Sequence, residues 1–332
     1  MNYETDKVKP LVLQAGFFID NHYKNYNSMQ DSARNWEYRC TYQLIPSAVS
    51  GHHQILHLEN IQVAYSKREG GIMQDIQMPS DAIAMAVIEE CIDKACFYRT
   101  KLKTGNIIFF DGSVANNLIT NNMMQFRILT VKKSSMDKVL VSKLLKVLNH
   151  TIQDTDWLLS NTLKDTWNEF TSSNGEKDFK KAQERIINVI SKLLSEQTPL
   201  VSKLTKGEEI ALVIRKQLYD HMDMKVTVNS LAKQHNVSEK TLQNSFKSLF
   251  GFTPNHFLRQ LKLNLVHYDL KNATVKDMTV LKIATKWGFF HMGHFSNYYT
   301  KLFGENPSKT LSRNTVEDRK ISDSCVTRQE EL

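Results

Sequence analysis

The chain has 332 residues, with 43 Lys/Arg against 35 Asp/Glu for a formal net charge of +8, and it is 41% hydrophobic and 23% charged. That length and balance suit a globular protein of two domains. They exclude a membrane-spanning protein, because no apolar run nears the ~20 residues a bilayer needs, and MNYETDKVKP lacks the apolar stretch of a secretory leader. The cytoplasm is the expected location. Cys40, Cys91, Cys96 and Cys325 form neither a disulfide framework nor a zinc set.

Residues 1 to about 35 are polar and weakly patterned; Phe17, Phe18 and Ile19 could dock on a body, and no function is legible there. From 36 to 133, short segments rich in Ile, Val, Phe and Tyr (38–45, 54–58, 62–66, 82–88, 95–101, 106–110 and 126–131) alternate with breakers such as Ser50-Gly51, Gly70-Gly71, Thr104-Gly105 and Asp111-Gly112. Regular short strands between such turns argue for a sandwich or barrel. His52, His53 and His57 invite a metal reading, since His53 and His57 would share a face of a strand. The carboxylate and further histidine that would complete a set are not found downstream, as 98–110 contains no histidine. They are therefore read as surface or turn histidines, and neither metal nor cofactor is expected. Cys91 and Cys96 read as small buried hydrophobes.

Residues 136 to 197 turn helical. Val139, Leu140, Leu144, Val147 and Leu148 suit one amphipathic helix, Trp157, Leu158, Leu163, Trp167 and Phe170 a second. After a loop at 171–175, Phe179, Ala182, Ile186, Ile190, Leu193 and Leu194 suit a third. The polar stretch from Gln197-Thr198-Pro199 to Glu209 reads as a linker, followed by a helix over 210–221.

The richest stretch is 227–311. TVNSLAKQHNVSEKTLQNSFKSLF, from Thr227, predicts a short helix, a tight turn and a second helix, with Leu231, Ala232, Val237, Leu242 and Phe246 on one inner face. Thr227 and Ser238 can cap the two helices and Gly251 can end the unit. The grammar returns about 50 residues later in VLKIATKWGFFHMGHFSNYYTKLF, from Val280, with Ile283, Ala284, Phe289, Phe295 and Tyr299 inside, Gly288 at the turn, and Gly304 and Pro307 closing. Between the units, 253–272 predicts one long helix with Thr253 as cap and Pro254 at its first position. Two such units in tandem imply a reader of DNA. The charge agrees: 201–313 holds 17 Lys/Arg against 8 Asp/Glu, a net +9, while the remainder nets −1. A localised excess of this kind is the footprint of a phosphate-binding surface. Residues 314–332 read as a disordered tail.

The stretch resembles the DNA-binding domain of AraC/XylS-family transcription regulators. The match is carried by Ser230-Leu231-Ala232, Ser238, Leu242, Phe246-Lys247, Gly251, Pro254, Phe257, Lys262-Leu263, Leu270, Ile283-Ala284, Gly288-Phe289, Phe295, Tyr299, Phe303-Gly304 and Pro307-Ser308, over nearly a third of the chain. Trp287–Phe295 is most similar to the subgroup that includes the ethanolamine-utilisation regulator. Asn244 and Asn297 depart from the family, where arginine is common, as does Val266, where alanine is common.

The resemblance implies an α+β chain of two domains. Residues 1–197 would form a sensor and dimerisation domain, with a cupin-like β-barrel over 36–133 and helices over 136–197. Residues 205–313 would be an all-α DNA-binding domain of two helix-turn-helix units. Double-stranded promoter DNA, RNA polymerase, a small-molecule effector and a second copy of the chain are the implied partners, with activation as the output and no catalytic residue. On the first recognition helix Glu239, Lys240, Gln243, Asn244 and Lys247 point away from the core, and the family pattern makes Lys240, Gln243 and Asn244 the base readers. Gln and Asn can pair with adenine and Lys can donate to guanine, while Lys247 meets phosphate. On the second, Met292, Gly293, His294 and Asn297 take the reading positions and His291 and Lys301 the phosphate contacts. Two rival readings stand beside this one. One is an enzyme carrying a DNA-binding module, such as a cupin-like metal enzyme or an alkyl-repair protein; the other is an N-terminal protein-interaction module with no small ligand.

Overall fold

A computed structural model describes residues 10–24, 29, 35–46, 49–92, 95–97, 100–111, 116–120, 122–148, 150–172, 177–196, 204–220, 226–273 and 278–312. Of the stretch read as a linker over 197–209, residues 197–203 lie outside the described residues, as do most of the 171–175 loop, Cys325 and the 314–332 tail, while residues 206–209 are helical rather than linker.

The N-terminal half is built on strands β1 (Phe18–Tyr23), β2 (Glu37–Gln43), β3 (Ser50–His57), β4 (Ile61–Glu69), β5 (Ile72–Gln77), β6 (Ala82–Cys91), β7 (Ala95–Phe97), β8 (Thr100–Leu102), β9 (Asn106–Asp111), β10 (Asn116–Thr120), β11 (Met124–Lys132) and β12 (Thr151–Gln153). They pair as a seven-stranded sheet in the order β1-β3-β4-β11-β6-β9-β12 and a five-stranded sheet in the order β2-β5-β10-β7-β8. Each sheet has two ends, so among the described residues neither closes on itself. The sequence explains why the large sheet has two buried faces. In β6, Ala82, Ala84, Ala86 and Ile88 face a core shared with Ile72, Ala95 and Leu102 of the smaller sheet. Ile83, Met85 and Val87 point the other way. That second face is covered by helices α1 (Lys138–Lys146), α2 (Leu158–Thr171) and α3 (Phe179–Glu196), the last through Ala182, Ile186, Ile190 and Leu193. A strand buried on both faces is apolar throughout rather than alternating.

Several expectations are corrected here. β1 forms from residues read as unpatterned, because pairing with β3 fixes a strand whose side chains are mostly exposed. The predicted strand at 95–101 is two short strands, and β5, β10 and β12 are additional. The first helix stops at Lys146, leaving Val147 as its cap. His53 and His57 are not surface or turn residues: they share the inner face of β3 and are 4% and 5% exposed. His57 is satisfied by Gln62 (2.9 Å) and by the amide of Gln14 (3.3 Å). His53 lies against Tyr23, and burial together with the nearby Arg68 cation pushes its pKa down to about 3.

The C-terminal half is helical: α4 (Lys206–Asp220), α5 (Val228–Gln234), α6 (Glu239–Phe250), α7 (Pro254–Lys271), α8 (Val280–Lys286) and α9 (Met292–Phe303). The halves are in contact. Just beyond β2, Leu44 is fully buried in the α4–α7 core beside Phe246 and Phe257. Gln43 donates its amide to Asn264 Oδ1 (2.8 Å) and accepts from Asn264 Nδ2 (2.7 Å), and its side chain donates to the Leu302 carbonyl (2.7 Å). On β8, Lys101 Nζ reaches Glu208 (2.9 Å) and Ser248 (2.9 Å). Burial opposes ionisation of Glu208, but hydrogen bonds from Ser248, Thr205 and Lys101 outweigh it and hold the carboxyl at about 2.

Candidate nucleic-acid interface

The first unit is α5–turn–α6. Thr227 caps α5 in a reciprocal capping box with Ser230, satisfying backbone donors that a helix start leaves orphaned. The turn passes through Asn236 in the left-handed region, at φ 52°. Ser238 then caps α6 by accepting from the Thr241 amide, and Gly251 ends it. Leu231, Leu242, Phe246 and Phe250 are buried against Phe257 of α7, with ring pairs at 5.0–6.0 Å. These contacts fix the axis of α6 and direct its other face outward.

The second unit is α8–turn–α9. Thr279 caps α8 by accepting from Lys282, and the turn passes through Gly288 at φ 81°, a conformation glycine adopts without a Cβ clash. His291 occupies the cap position of α9 with no side-chain cap bond. Ile283, Ala284, Phe295, Tyr299 and Leu302 are buried against Leu263, Val266 and Leu270 of α7. A polar chain runs through this core. Thr310 donates to Glu305 (2.9 Å), and Tyr299 donates to Thr310 (2.9 Å). His267 Nδ1–H therefore donates to the Tyr299 oxygen (2.7 Å). Burial and the Lys271 cation push the His267 pKa down to about 4, and burial pushes the Tyr299 phenol up. At the end of α8, Asp269 accepts from Lys286 and from the Trp287 indole, both at 2.7 Å.

Because α7 contributes to both cores, the two recognition helices are mounted on one 18-residue helix. Arg259 of α7 braces the arrangement by lying 4.3 Å over the Tyr298 ring of α9.

Lys240, Asn244 and Lys247 are exposed and Gln243 is half-buried, all on the outer face of α6. Glu239 is exposed too, but its carboxylate accepts from Asn229 at 2.6 Å, bridging α5 to α6 at the positive end of the helix dipole. His291, His294, Asn297 and Lys301 are exposed along α9, and Gly293 with them. Met292 is half-buried against the second core, so packing claims part of its side chain. Two exposed side chains escaped sequence reasoning. Phe290, 74% exposed in the second turn, and Tyr298, also exposed, lie beside the outward side chains of α9. The signal for Phe290 was the extra residue between Gly288 and the start of α9, which moves it out of the core register.

These side chains are exposed with the N-terminal half in place. Among the described residues, interdomain hydrogen bonds reach the C-terminal ends of α6 and α9, at Ser248 and Leu302, while the N-terminal halves of both helices carry exposed side chains. A surface of exposed amides and cations along α6 and α9 can donate to base edges and phosphates. No helix among the described residues is long and apolar enough to cross a membrane.

Residues 231–313 match the family model described as a helix-turn-helix domain. The XylDLEGF operon transcriptional activator of Pseudomonas putida is 29% identical over 138 residues, covering 41% of this chain and 43% of that protein. XylDLEGF operon transcriptional activator 2 of the same organism is 32% identical over 93 residues, covering 28% and 59%. The chain thus spans 43% of the first of these curated relatives and 59% of the second. A crystal structure of the AraC-like transcriptional activator CuxR is 11% identical with a TM-score of 0.41, covering 76% of this chain and 96% of that one.

Proposed function

We propose that the chain is a sequence-specific, DNA-binding transcription regulator of AraC/XylS type, acting as an activator in the cytoplasm and not as an enzyme. The observation that carries this is the pair of recognition helices on one rigid helix, both with outward polar faces, in the segment that holds all of the chain's excess positive charge. Lys240, Gln243 and Asn244 read bases, and Lys247 meets phosphate. Asn297 and His294 make the second set of contacts, with His291 and Lys301 on phosphate and Met292 touching the base edges through its exposed part. Glu239 serves to orient the first unit through Asn229.

In this reading residues 1–197 are the sensor and dimerisation domain of a homodimer. A cupin-like barrel takes a small-molecule effector and shifts the population of a polymerase-contacting arrangement. The Trp287–Phe295 stretch supports a place beside the ethanolamine-utilisation subgroup. The readers stay exposed with the halves docked, so the effector acts by changing the orientation or pairing of DNA-binding domains, not by uncovering them.

Selection of bound sequences from a random DNA library tests this, using the full chain and a Lys240→Ala/Gln243→Ala/Asn244→Ala variant. The expected result is a motif with two half-sites about 34 Å apart, of which the variant loses one half. Binding by both proteins without sequence preference overturns the assignment.

A further inference from the structure

Edge strand β1 and its neighbour β3 pair antiparallel, with His22 opposite His52 and Asp20 opposite Gln54. Strand alternation puts these four side chains on one face and turns Tyr23 and His53 to the other. The His22 and His52 rings stack with centroids 4.2 Å apart and planes 9° apart. His52 Nε2 hydrogen-bonds Asp20 Oδ1, and Gln54 Nε2 donates to Asp20 Oδ2 (2.9 Å). Tyr65 of β4 stands edge-on to His52 at 5.6 Å and walls one side. One ligand atom from each of Asp20, His22 and His52 lies within 4.8 Å of the others, with Asp20 and His22 exposed and His52 half-buried.

We propose that Asp20, His22 and His52 form a binding site for a divalent cation of the zinc class, with two imidazole nitrogens and one carboxylate oxygen as ligands and the remaining positions open. The donor set is the one such cations take, since borderline metals favour imidazole and accept carboxylate. The spacing is of the right order: bonds of about 2.1 Å in a tetrahedral site set ligand atoms roughly 3.4 Å apart, and the ligand atoms here all lie within 4.8 Å of one another. The outer partner is present as well, because Gln54 holds the second Asp20 oxygen as carboxylate ligands are commonly held.

The strand pair is fixed beside the site. Tyr23 lies opposite Gly51, and its hydroxyl crosses over to the Lys67 carbonyl on β4 (3.1 Å). A Cβ at residue 51 would sit 2.1 Å from that carbonyl oxygen and 2.3 Å from the Tyr23 hydroxyl. The glycine therefore permits a tie across three strands, one residue from His22 and His52. The cation nearest in register, Lys67 opposite His52, is paired with Glu69 at 3.2 Å.

The inference is independent of the DNA-binding reading. It is tested on the full chain, stripped with chelator and titrated with zinc sulfate by calorimetry, with cobalt(II) absorption as a second readout of imidazole ligation. We expect one zinc per chain. His22→Ala, His22→Gln and His52→Ala should each remove it, Gln54→Ala should weaken it by about 10- to 100-fold, and His150→Ala, elsewhere on the surface, should leave it unchanged. Circular dichroism establishes that each variant is folded, and His22→Gln keeps the size and hydrogen bonding of the side chain while removing the imidazole. Zinc uptake no greater than that of an Asp20→Asn/His22→Ala/His52→Ala variant overturns the site. So does one zinc per chain retained by that variant, which would place the metal elsewhere.

Discussion

In the first helix-turn-helix unit the chain turns through Asn236, caps at Ser238 and presents Lys240, Gln243, Asn244 and Lys247 on α6. In the second it turns through Gly288 and takes one residue more. Phe290 then stands exposed in the turn, His291 fills the cap position without a cap bond, and Gly293, Ser296, Asn297 and Thr300 occupy the positions matching those four residues. The buried positions are conserved in type between the units while the outer face and the cap are not. What differs is therefore pre-organisation and charge. The first unit offers cations and amides on a closed helix start, and at the matching positions the second offers short, neutral groups beside an aromatic wedge. In the proposed function the first unit specifies sequence and the second chiefly sets position on the duplex.

Four experiments would break or sharpen that contrast. The largest effect is expected from the cores, which the contrast holds to be equivalent. Phe246→Ala and Phe295→Ala, both fully buried, should each lose about 3–5 kcal/mol in denaturant unfolding; a markedly milder loss for one would show that its unit is dispensable to the fold.

Lys240→Ala should next weaken binding to the selected DNA site by about 1–3 kcal/mol and relax the base preference at one position. Asn297→Ala should cost less in the same gel-shift titration. A reversed order would exchange the roles of the units.

Third, acid should weaken the second unit through His267. The His267 pKa is depressed to about 4 in the folded protein, so between the ordinary value and that one the unfolded chain binds the extra proton. Stability is full above the unfolded pKa near 6.5 and falls as pH drops toward 4. His267→Gln should flatten this fall in melting curves taken at pH 7 and pH 5. His53, also depressed, to about 3, adds a loss of the same sign in the N-terminal half, so the comparison is between variant and parent rather than between pH values alone.

The smallest effect concerns the caps. Ser238→Ala should cost about 1 kcal/mol, whereas His291→Ser should stabilise by a similar or smaller amount and give α9 the closed start that α6 has. No gain on thermal melting would mean that the extra turn residue, not the missing oxygen, sets the start of α9.

The helical half was legible because its signals are local. Thr227, Ser238 and Thr253 cap helices at the positions their sequence context implies, and the apolar spacing is regular. Sequence spacing also placed Lys240, Gln243, Asn244 and Lys247 on the outer face of α6, but it could not show that Glu239 is held by Asn229 or that Met292 is partly packed, because both depend on the turn geometry. The N-terminal half was less legible. β1 alternates polar side chains and is a strand only because β3 is beside it. Likewise, Asp20 and His22 join His52 only through a pairing register that brings together residues about 30 apart. His53 and His57 carried the same letter as His52, and alternation sent them to the opposite face.

The join between the halves has one more consequence. β2 is the outermost strand of the smaller sheet, and its last residue offers a backbone N–H and C=O sideways. The Asn264 amide answers both, so a side chain from the helical half acts as the missing neighbour strand while Leu44 is stowed in the helical core. An open strand end with a bare leucine next to it is an invitation to edge-to-edge association. The DNA-binding half therefore serves the sheet as a chaperoning cap, and a chain severed between residues 197 and 204 should yield an N-terminal fragment that aggregates where the intact protein stays dispersed, as light scattering of the two would show.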